Sequence, residues 1–320
     1  MNSPYSSLAE VFMPHAADAT QRVIANGCRF AYYTTAETAF RILSNRTVWM
    51  RSTRTMNDFM EIEHGVECVA AACKSESGRK LAAAIDGLFP GLFDEVLVRY
   101  RAWVPGFQSD TFVTCVSEHV SADDLYGRLS MWRAYGGRSG VALVLNGGVM
   151  FSQTDALAAY SSPVAYFDYK GVAEQMGLVA DRVLESSKLI MSTPRDDVLA
   201  HLFQMLRYGS ICTKHPGFEE EREWRIVSSP SFQESELLPQ SIEIIGGVPQ
   251  TVLKLPLRDD PERGLVGLEI SSLLERVIIG PTEFPSVLRR AFSQQLRDRG
   301  VSNPLERIFV SNIPLREVQK

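Results

Sequence analysis

Two carboxylates and an arginine alternate in Glu221-Arg222-Glu223-Trp224-Arg225. In an extended chain, successive side chains point to opposite faces. Read as a strand, the stretch sends Glu221, Glu223, Arg225 and Val227 one way and Arg222, Trp224 and Ile226 the other. Trp224 and Ile226 are then the buried side. The β-branched pair Ile226-Val227 and the Ser-Ser-Pro that follows favour the strand over a helix. In a helix, Glu221 and Arg225 would form an ordinary i,i+4 pair. Neighbouring carboxylates beside an arginine suit charge stabilisation or proton transfer. Exposed charge on an edge strand is the competing reading.

Three further stretches carry groups able to contact a ligand. Tyr32-Tyr33-Thr34 ends a strand that runs into a helix, where the alternative is core aromatics and a helix cap. Arg51, Asn57, Asp58 and Glu61 gather around a strand-to-helix turn, with Asn57 or Asp58 able to serve as N-cap. "CVSE" contains Ser117, and the "MWRAYGG" that follows places Tyr135 at a helix end, four residues from Met131. Leu125, Leu129 and Trp132 form the expected core stripe of that helix.

These stretches need elements to hold them. Strands are expected at "CRFAYYTT", "TVWMRS", "DTFVTCVSE", "GVALVLN" and "SPVAYFDY", then at "REWRIV", "SIEIIGG", "TVLKLPL", "RVIIG" and "ERIFVS". A short helix follows Thr34, which with Glu37 fits a capping box, and Phe40 with Leu43 supplies its buried face. Helices are also expected over "NDFMEIEHGVECVAAAC", residues 79–89, 92–102 and 171–210 (broken at Thr193-Pro194), and in "FPSVLRRAFSQQLRDRG". Strands and helices mix without regular βαβ alternation. The fold class is therefore α+β, with a mixed, split β-sheet core and helical insertions. Residues 1–25 read as a tail or short helix. Residues 26–320 read as one catalytic-type domain with a helical insertion near 171–210.

Composition removes several classes. A net charge of −5 argues against a general electrostatic nucleic-acid binder, while leaving room for a local basic groove. No apolar run reaches the roughly 20 residues of a membrane span. The N-terminus lacks a signal-peptide pattern, so the expectation is a cytoplasmic protein. Five scattered cysteines without paired spacing read as reduced thiols. No G-x-G-x-x-G, Walker A loop, G-x-S-x-G, H-E-x-x-H or C-x-x-C is present. His64, Cys68 and Cys73 do not converge as zinc ligands require, so no metal site is assigned. The five histidines do not cluster along the chain, and His119 and His215 read as surface or loop residues.

From about residue 29 to 312, the ordered set "NDFME", "CVSE", "MWRAYG", "EREWR" and "VIIG" resembles a widespread bacterial family of unknown function. It departs from that pattern at Phe59, where a proline is common. In addition, "YTTAETAFRILSNRTVWM" resembles the first strand, helix and second strand of ADP-ribosyltransferases, above all toxins that modify nucleic acid. That resemblance implies an ADP-ribosyltransferase-like fold and NAD as substrate. It implies a catalytic carboxylate at Glu223, with Glu221 orienting the acceptor or acting as its base. Tyr33 and Tyr135 would sandwich the nicotinamide, with Thr34 and Ser117 hydrogen-bonding around it. Arg51 would hold the diphosphate, Asn57 would belong to the cofactor site, and Lys214 would contact a phosphate or an acidic target. The implied partner is a macromolecular acceptor, nucleic acid or a phage protein, approached over a basic strip at Arg51, Arg54 and Lys214. The implied role is that of a toxin or anti-phage effector. Two alternatives stand beside it: a non-catalytic nucleotide- or phage-protein-binding sensor, with Arg225 neutralising the glutamates, and a metal-dependent nuclease using Asp58, Glu61 and the glutamates.

Overall fold

A computed structural model describes residues 5–55, 61–152 and 154–314. It is a mixed α+β chain with an open, mixed sheet. The strands are β1 (Arg29–Thr35), β2 (Thr47–Ser52), β3 (Phe112–Glu118), β4 (Gly140–Asn146), β5 (Tyr160–Pro163) and β6 (Ala165–Tyr166). After them come β7 (Thr213–Lys214), β8 (Glu223–Ser228), β9 (Gln240–Ile245), β10 (Val248–Pro256), β11 (Leu274–Ile279) and β12 (Ile308–Val310). The chain folds as two compact units, each assembled from three separate segments.

One unit comprises residues 23–51, 112–161 and 220–320 and holds the large sheet. Its strand order is β12-β11-β4-β1-β3-β2-β10-β9, with β8 on β3 and β5 on β8. The β11–β12 pair is parallel, and β1 is antiparallel to β4 in continuous register from Arg29↔Asn146 to Thr35↔Gly140. β8 lines one edge of β3 from Phe112↔Ser228 to Ser117↔Glu223. A strand has two edges, so β1 and β2 share the other. β1 pairs with β3 at Phe30↔Glu118 and Ala31↔Ser117, and the sheet forks there.

Alternation sorts the two faces. Val141, Leu143, Val277 and Ile279 join the larger core, together with Met50, Leu253 and the helices Ala36–Asn45 and Pro285–Asp298. Ala31, Tyr33, Ala142, Val144 and Ile278 point the other way, to a smaller core around Met131 and Trp132. Two local expectations shift. The helix cap is Thr35, whose Oγ1 accepts from the Thr38 amide at 3.3 Å, because Thr34 is still paired in β1 with Val141. The helix buries Ala39, Ile42 and Leu43, while Phe40 is 38% exposed and meets Phe292 edge-on.

The helix expected to carry Leu125, Leu129 and Trp132 on one stripe and to end at Tyr135 is helical only over Leu129–Tyr135, with a short 3-10 turn at Ser121–Asp123. Gly127 sits at φ +63°, a left-handed conformation that interrupts the run. Leu125 and Leu129 are therefore exposed, and Met131 and Trp132 are the buried pair. Trp132 lies against three glycines. A Cβ on Gly127, Gly140 or Gly280 would approach its ring to 2.5, 3.0 or 2.8 Å.

The other unit comprises residues 1–22, 52–111 and 162–219 and is mainly helical. Its helices include Leu8–Phe12, Glu61–Lys74, Glu76–Asp86, Leu92–Ser109, Tyr169–Glu185 and Arg195–Ile211, with β6 and β7 as a short parallel pair. Gly65 lets two of these helices touch, since a Cβ there would meet the Ser210 carbonyl oxygen at 2.0 Å. Beside that crossing, Tyr100 and Ser210 share a buried hydroxyl–hydroxyl hydrogen bond of 2.6 Å. Among the described residues, no helix is long and apolar enough to cross a membrane.

Candidate functional site

The alternation expected through Glu221 begins two residues later. Pro216–Glu221 is a 3-10 helix, and β8 starts at Glu223. Arg222 between them adopts φ +45°, a left-handed turn. Two anchors hold that turn to the end of β3. Ser117 Oγ donates to the Glu221 carbonyl at 2.7 Å, and the Glu118 amide donates to the Arg222 carbonyl at 2.9 Å. The turn resets side-chain direction, so Glu221 and Glu223 have different surroundings.

Glu223 is 7% exposed and Arg225 1% exposed. Arg225 Nε donates to Glu223 Oε1 at 2.9 Å. Both faces of β8 are therefore buried, and the expected open working face is closed. Ile226 is only half-buried, whereas Trp224 is fully buried. Trp224 packs between Phe30 and Phe151 and donates its indole N–H to Glu118 Oε1 at 2.9 Å. That bond joins two of the sequence motifs, "CVSE" and "EREWR".

Glu221 is half-buried and accepts a hydrogen bond from Tyr135 Oη at 3.1 Å on its Oε1. Tyr135 is 36% exposed. Register places Ser117 opposite both Ala31 and Glu223. Tyr33, two residues from Ala31, therefore shares the sheet face of Ser117 and Glu223. Tyr33 is not an open stacking surface. It is buried, meets Trp132 edge-on at 4.8 Å, and accepts from the Arg128 amide at 3.0 Å. Burial, the largest influence, raises its pKa above the usual 10.0, so it remains a neutral phenol.

The remaining expected residues lie elsewhere. Thr34 points to the opposite sheet face from Tyr33, as neighbours in a strand must. Arg51, half-buried on β2, donates to Gln250 Oε1 at 3.1 Å, and burial lowers its pKa. Asn57 lies outside the described residues, as do Asp58 and Phe59. Lys214 belongs to the helical unit. It is 4% exposed, with its ammonium 4.6 Å from the Phe218 ring centroid, so it is not a surface contact for phosphate. Arg54 is exposed and donates to the Gln108 carbonyl at 3.1 Å. The structure thus links Ser117, Tyr135, Glu221 and Glu223, with Tyr33 on the same sheet face, packed instead on Trp132 and Arg128.

Residues 131–226 match the model of a protein family of unknown function, DUF2971. The match starts at the "MW" of the helix that carries Tyr135 and ends inside β8. It spans less than half of the chain. No curated protein and no solved structure matches.

Arg128 is the site residue that sequence reading missed. Its Nη1 donates to the Glu220 carbonyl at 2.6 Å, its Nη2 to the Glu118 carbonyl at 3.1 Å, and its Cζ lies 5.9 Å from the Tyr33 ring centroid. It ties the 3-10 turn, β3 and β1 to one another. Nothing in "YGRLSMW" distinguishes such a hub from an ordinary surface arginine. His119, expected as a surface or loop residue, does lie in the loop after β3 but is 2% exposed, with Nε2 2.9 Å from Asp124 Oδ1. Asp124 also accepts from Arg29 at 2.9 Å, and Arg29 reaches Glu275 at 3.0 Å. In the helical unit, His64 and His215 do approach, with ring centroids 6.0 Å apart, although their sequence positions gave no such sign. Among the described residues, no three His, Cys, Asp or Glu side chains are placed to hold a metal.

Proposed function

We propose that this chain is an NAD-consuming, ADP-ribosyltransferase-like enzyme acting on a macromolecular acceptor, nucleic acid or a phage protein, as a toxin or anti-phage effector. The observation that carries the reading is the row Ala31–Ser117–Glu223 beside the fork in the sheet, with Tyr33 on the same face and the Tyr135–Glu221 pair at its rim. In this reading the ribosyl–nicotinamide bond breaks with its electron pair leaving on nicotinamide. Positive charge develops on the ribose, and a fixed carboxylate stabilises it. Glu223, oriented by Arg225, supplies that carboxylate. Glu221, half-exposed, takes the proton that the attacking acceptor releases. Tyr135 offers an accessible ring for the nicotinamide and a hydroxyl that orients Glu221.

The test is nicotinamide release from NAD, followed by chromatography with nucleic-acid and protein acceptors. Glu221→Gln and Glu223→Gln are each expected to lower release by about 10²-fold or more. Unchanged turnover in both variants would defeat the assignment. One observation favours a second reading, a nucleotide-binding module without catalysis: the Glu223–Arg225 pair is buried and internally satisfied. That reading expects saturable NAD binding with no nicotinamide release in the presence of any acceptor.

A further inference from the structure

Strand β9 is the last in the order of the large sheet, and its ladder fixes which backbone groups point outward. It pairs with β10 without a bulge, from Gln240↔Leu253 to Ile245↔Val248. Antiparallel pairs alternate between residues that exchange hydrogen bonds and residues that do not. The Lys254 amide donates to the Pro239 carbonyl at 3.0 Å, so the next pair, Gln240↔Leu253, is of the non-bonded kind. By the same alternation Ile242↔Thr251 and Ile244↔Pro249 are non-bonded, which suits Pro249, a residue with no N–H to give. Gln240, Ile242 and Ile244 therefore turn their N–H and C=O groups away from β10, toward the free edge.

Natural sheets blunt such edges with proline, lysine, a bulge or a charge. Residues 240–245 include no proline and no lysine, and their one charged side chain, Glu243, is held by Lys254 at 2.7 Å. Directly paired residues share a sheet face, so Ile242 and Ile244 continue the face of Leu253 and Met50, both members of the larger core. The apolar face of the sheet thus runs out to its edge, where both isoleucines are exposed.

The order of residue types along this edge is complementary to itself. A second copy set antiparallel about a two-fold axis at Ile242 brings Ile242 opposite its own counterpart and Ile244 opposite Gln240. Every outward N–H of one strand then meets an outward C=O of the other, and the isoleucines of both copies form one apolar row. On the opposite face Glu243 stands across from Ser241. Moving the axis to Glu243 would set two carboxylates directly against each other, which is destabilising. Moving it to Ser241 would carry Ile244 past the end of the facing strand, which begins at Gln240. We propose that the chain forms a two-fold dimer by joining two β9 edges into one continuous sheet, with Ile242 on the axis. The inference is independent of the NAD reading, since it uses none of the residues of that site.

Sedimentation velocity of the full chain, over a concentration series spanning the micromolar range, should show monomer giving way to dimer. Ile242→Pro removes an N–H that serves no bond to β10, and edge strands accept proline at such positions. It should leave the circular dichroism of the chain unchanged and raise the dimer dissociation constant about tenfold or more. If that variant fails to fold, Ile242→Lys, which keeps the backbone intact, should weaken the dimer in the same sense. Cysteine cross-linking under mild oxidation reads the register. Ile242→Cys should give a disulfide-linked dimer, whereas Glu243→Cys, which sits diagonally from its counterpart, should not. The five cysteines of the natural chain, all buried or half-buried, set the background. A chain that stays monomeric throughout the series overturns the proposal and leaves the edge to a strand of another protein. So does a dimer that survives substitution of Ile242, or one that cross-links as well through Glu243→Cys as through Ile242→Cys.

Discussion

Glu223 and Arg225, two residues apart on β8, are joined by a 2.9 Å hydrogen bond, with only 7% and 1% of their side chains exposed. Removing one partner of such a pair strands a charge in the interior, at a cost of about 3–5 kcal/mol. Arg225→Met is expected to destabilise the chain by that amount in urea unfolding. Glu223→Leu with Arg225→Met should cost less than the sum of the two single changes, because no lone charge remains. Strict additivity would show that the two residues do not depend on each other.

Trp132 donates its indole N–H to the Tyr126 carbonyl at 2.8 Å and lies in a socket that glycines keep open. A methyl group on Gly280 would come within 2.8 Å of the ring, inside van der Waals contact. Gly280→Ala is therefore expected to cost about 1–3 kcal/mol as overpacking. Near-UV circular dichroism should change with it, as Trp132 is displaced. Unaltered stability and signal would mean that the socket has slack.

His119 gives the chain a pH dependence with a defined sign. Burial, the largest influence, lowers its pKa below 6.5, outweighing the hydrogen bond to Asp124. The unfolded chain thus takes up a proton before the folded chain does. Stability from this residue is fully present above about pH 6.5 and is lost as pH falls toward the lowered folded value. His119→Gln should flatten the stability profile over that acidic window. A profile unchanged by the substitution would remove His119 as its source.

The period-two pattern made most strands legible, because burial on a sheet face depends on side chains two apart. β1, β4 and β11 alternate between the two cores in register, and "CRFAYYTT", "GVALVLN" and "RVIIG" display that alternation. The path into β8 was not legible. A left-handed residue at Arg222 shifts the phase of the strand, and arginine carries no signal for that conformation as glycine does. The helix before Tyr135 was overextended for a related reason. Leu125 and Leu129 have helical spacing, but Gly127 packs against Trp132, a contact that only the fold reveals. Ser117, Tyr135 and Glu221 were recognised by type, whereas their meeting depends on sheet register and on that turn. Arg128 and the Glu118–Trp224 bond are products of tertiary placement alone.

Edge strand β9 makes a prediction about behaviour in solution. Ile242 and Ile244 are 74% and 70% exposed on the last strand of the sheet order. Exposed apolar edges invite pairing with other chains, and a lysine on the edge suppresses it. Ile242→Lys should leave unfolding stability within about 0.5 kcal/mol. Light scattering at high concentration should fall. Equal scattering from both proteins would show that this edge does not drive association.

Tyr135 separates positioning from stability in the proposed reaction. Its hydroxyl reaches Glu221 Oε1 at 3.1 Å from a side chain that is 36% exposed. Tyr135→Phe removes the hydroxyl, keeps the ring, and should change stability by no more than about 0.5 kcal/mol, as surface substitutions do. If Glu221 takes the acceptor proton, losing its orienting partner should lower kcat of ADP-ribosyl transfer about tenfold. KM for NAD should stay nearly constant, because the ring proposed to meet nicotinamide is retained. Tyr135→Ala should raise KM as well. A phenylalanine variant with unchanged kcat, or with only KM altered, would remove the Tyr135–Glu221 hydrogen bond from the chemistry and leave Tyr135 as a binding surface.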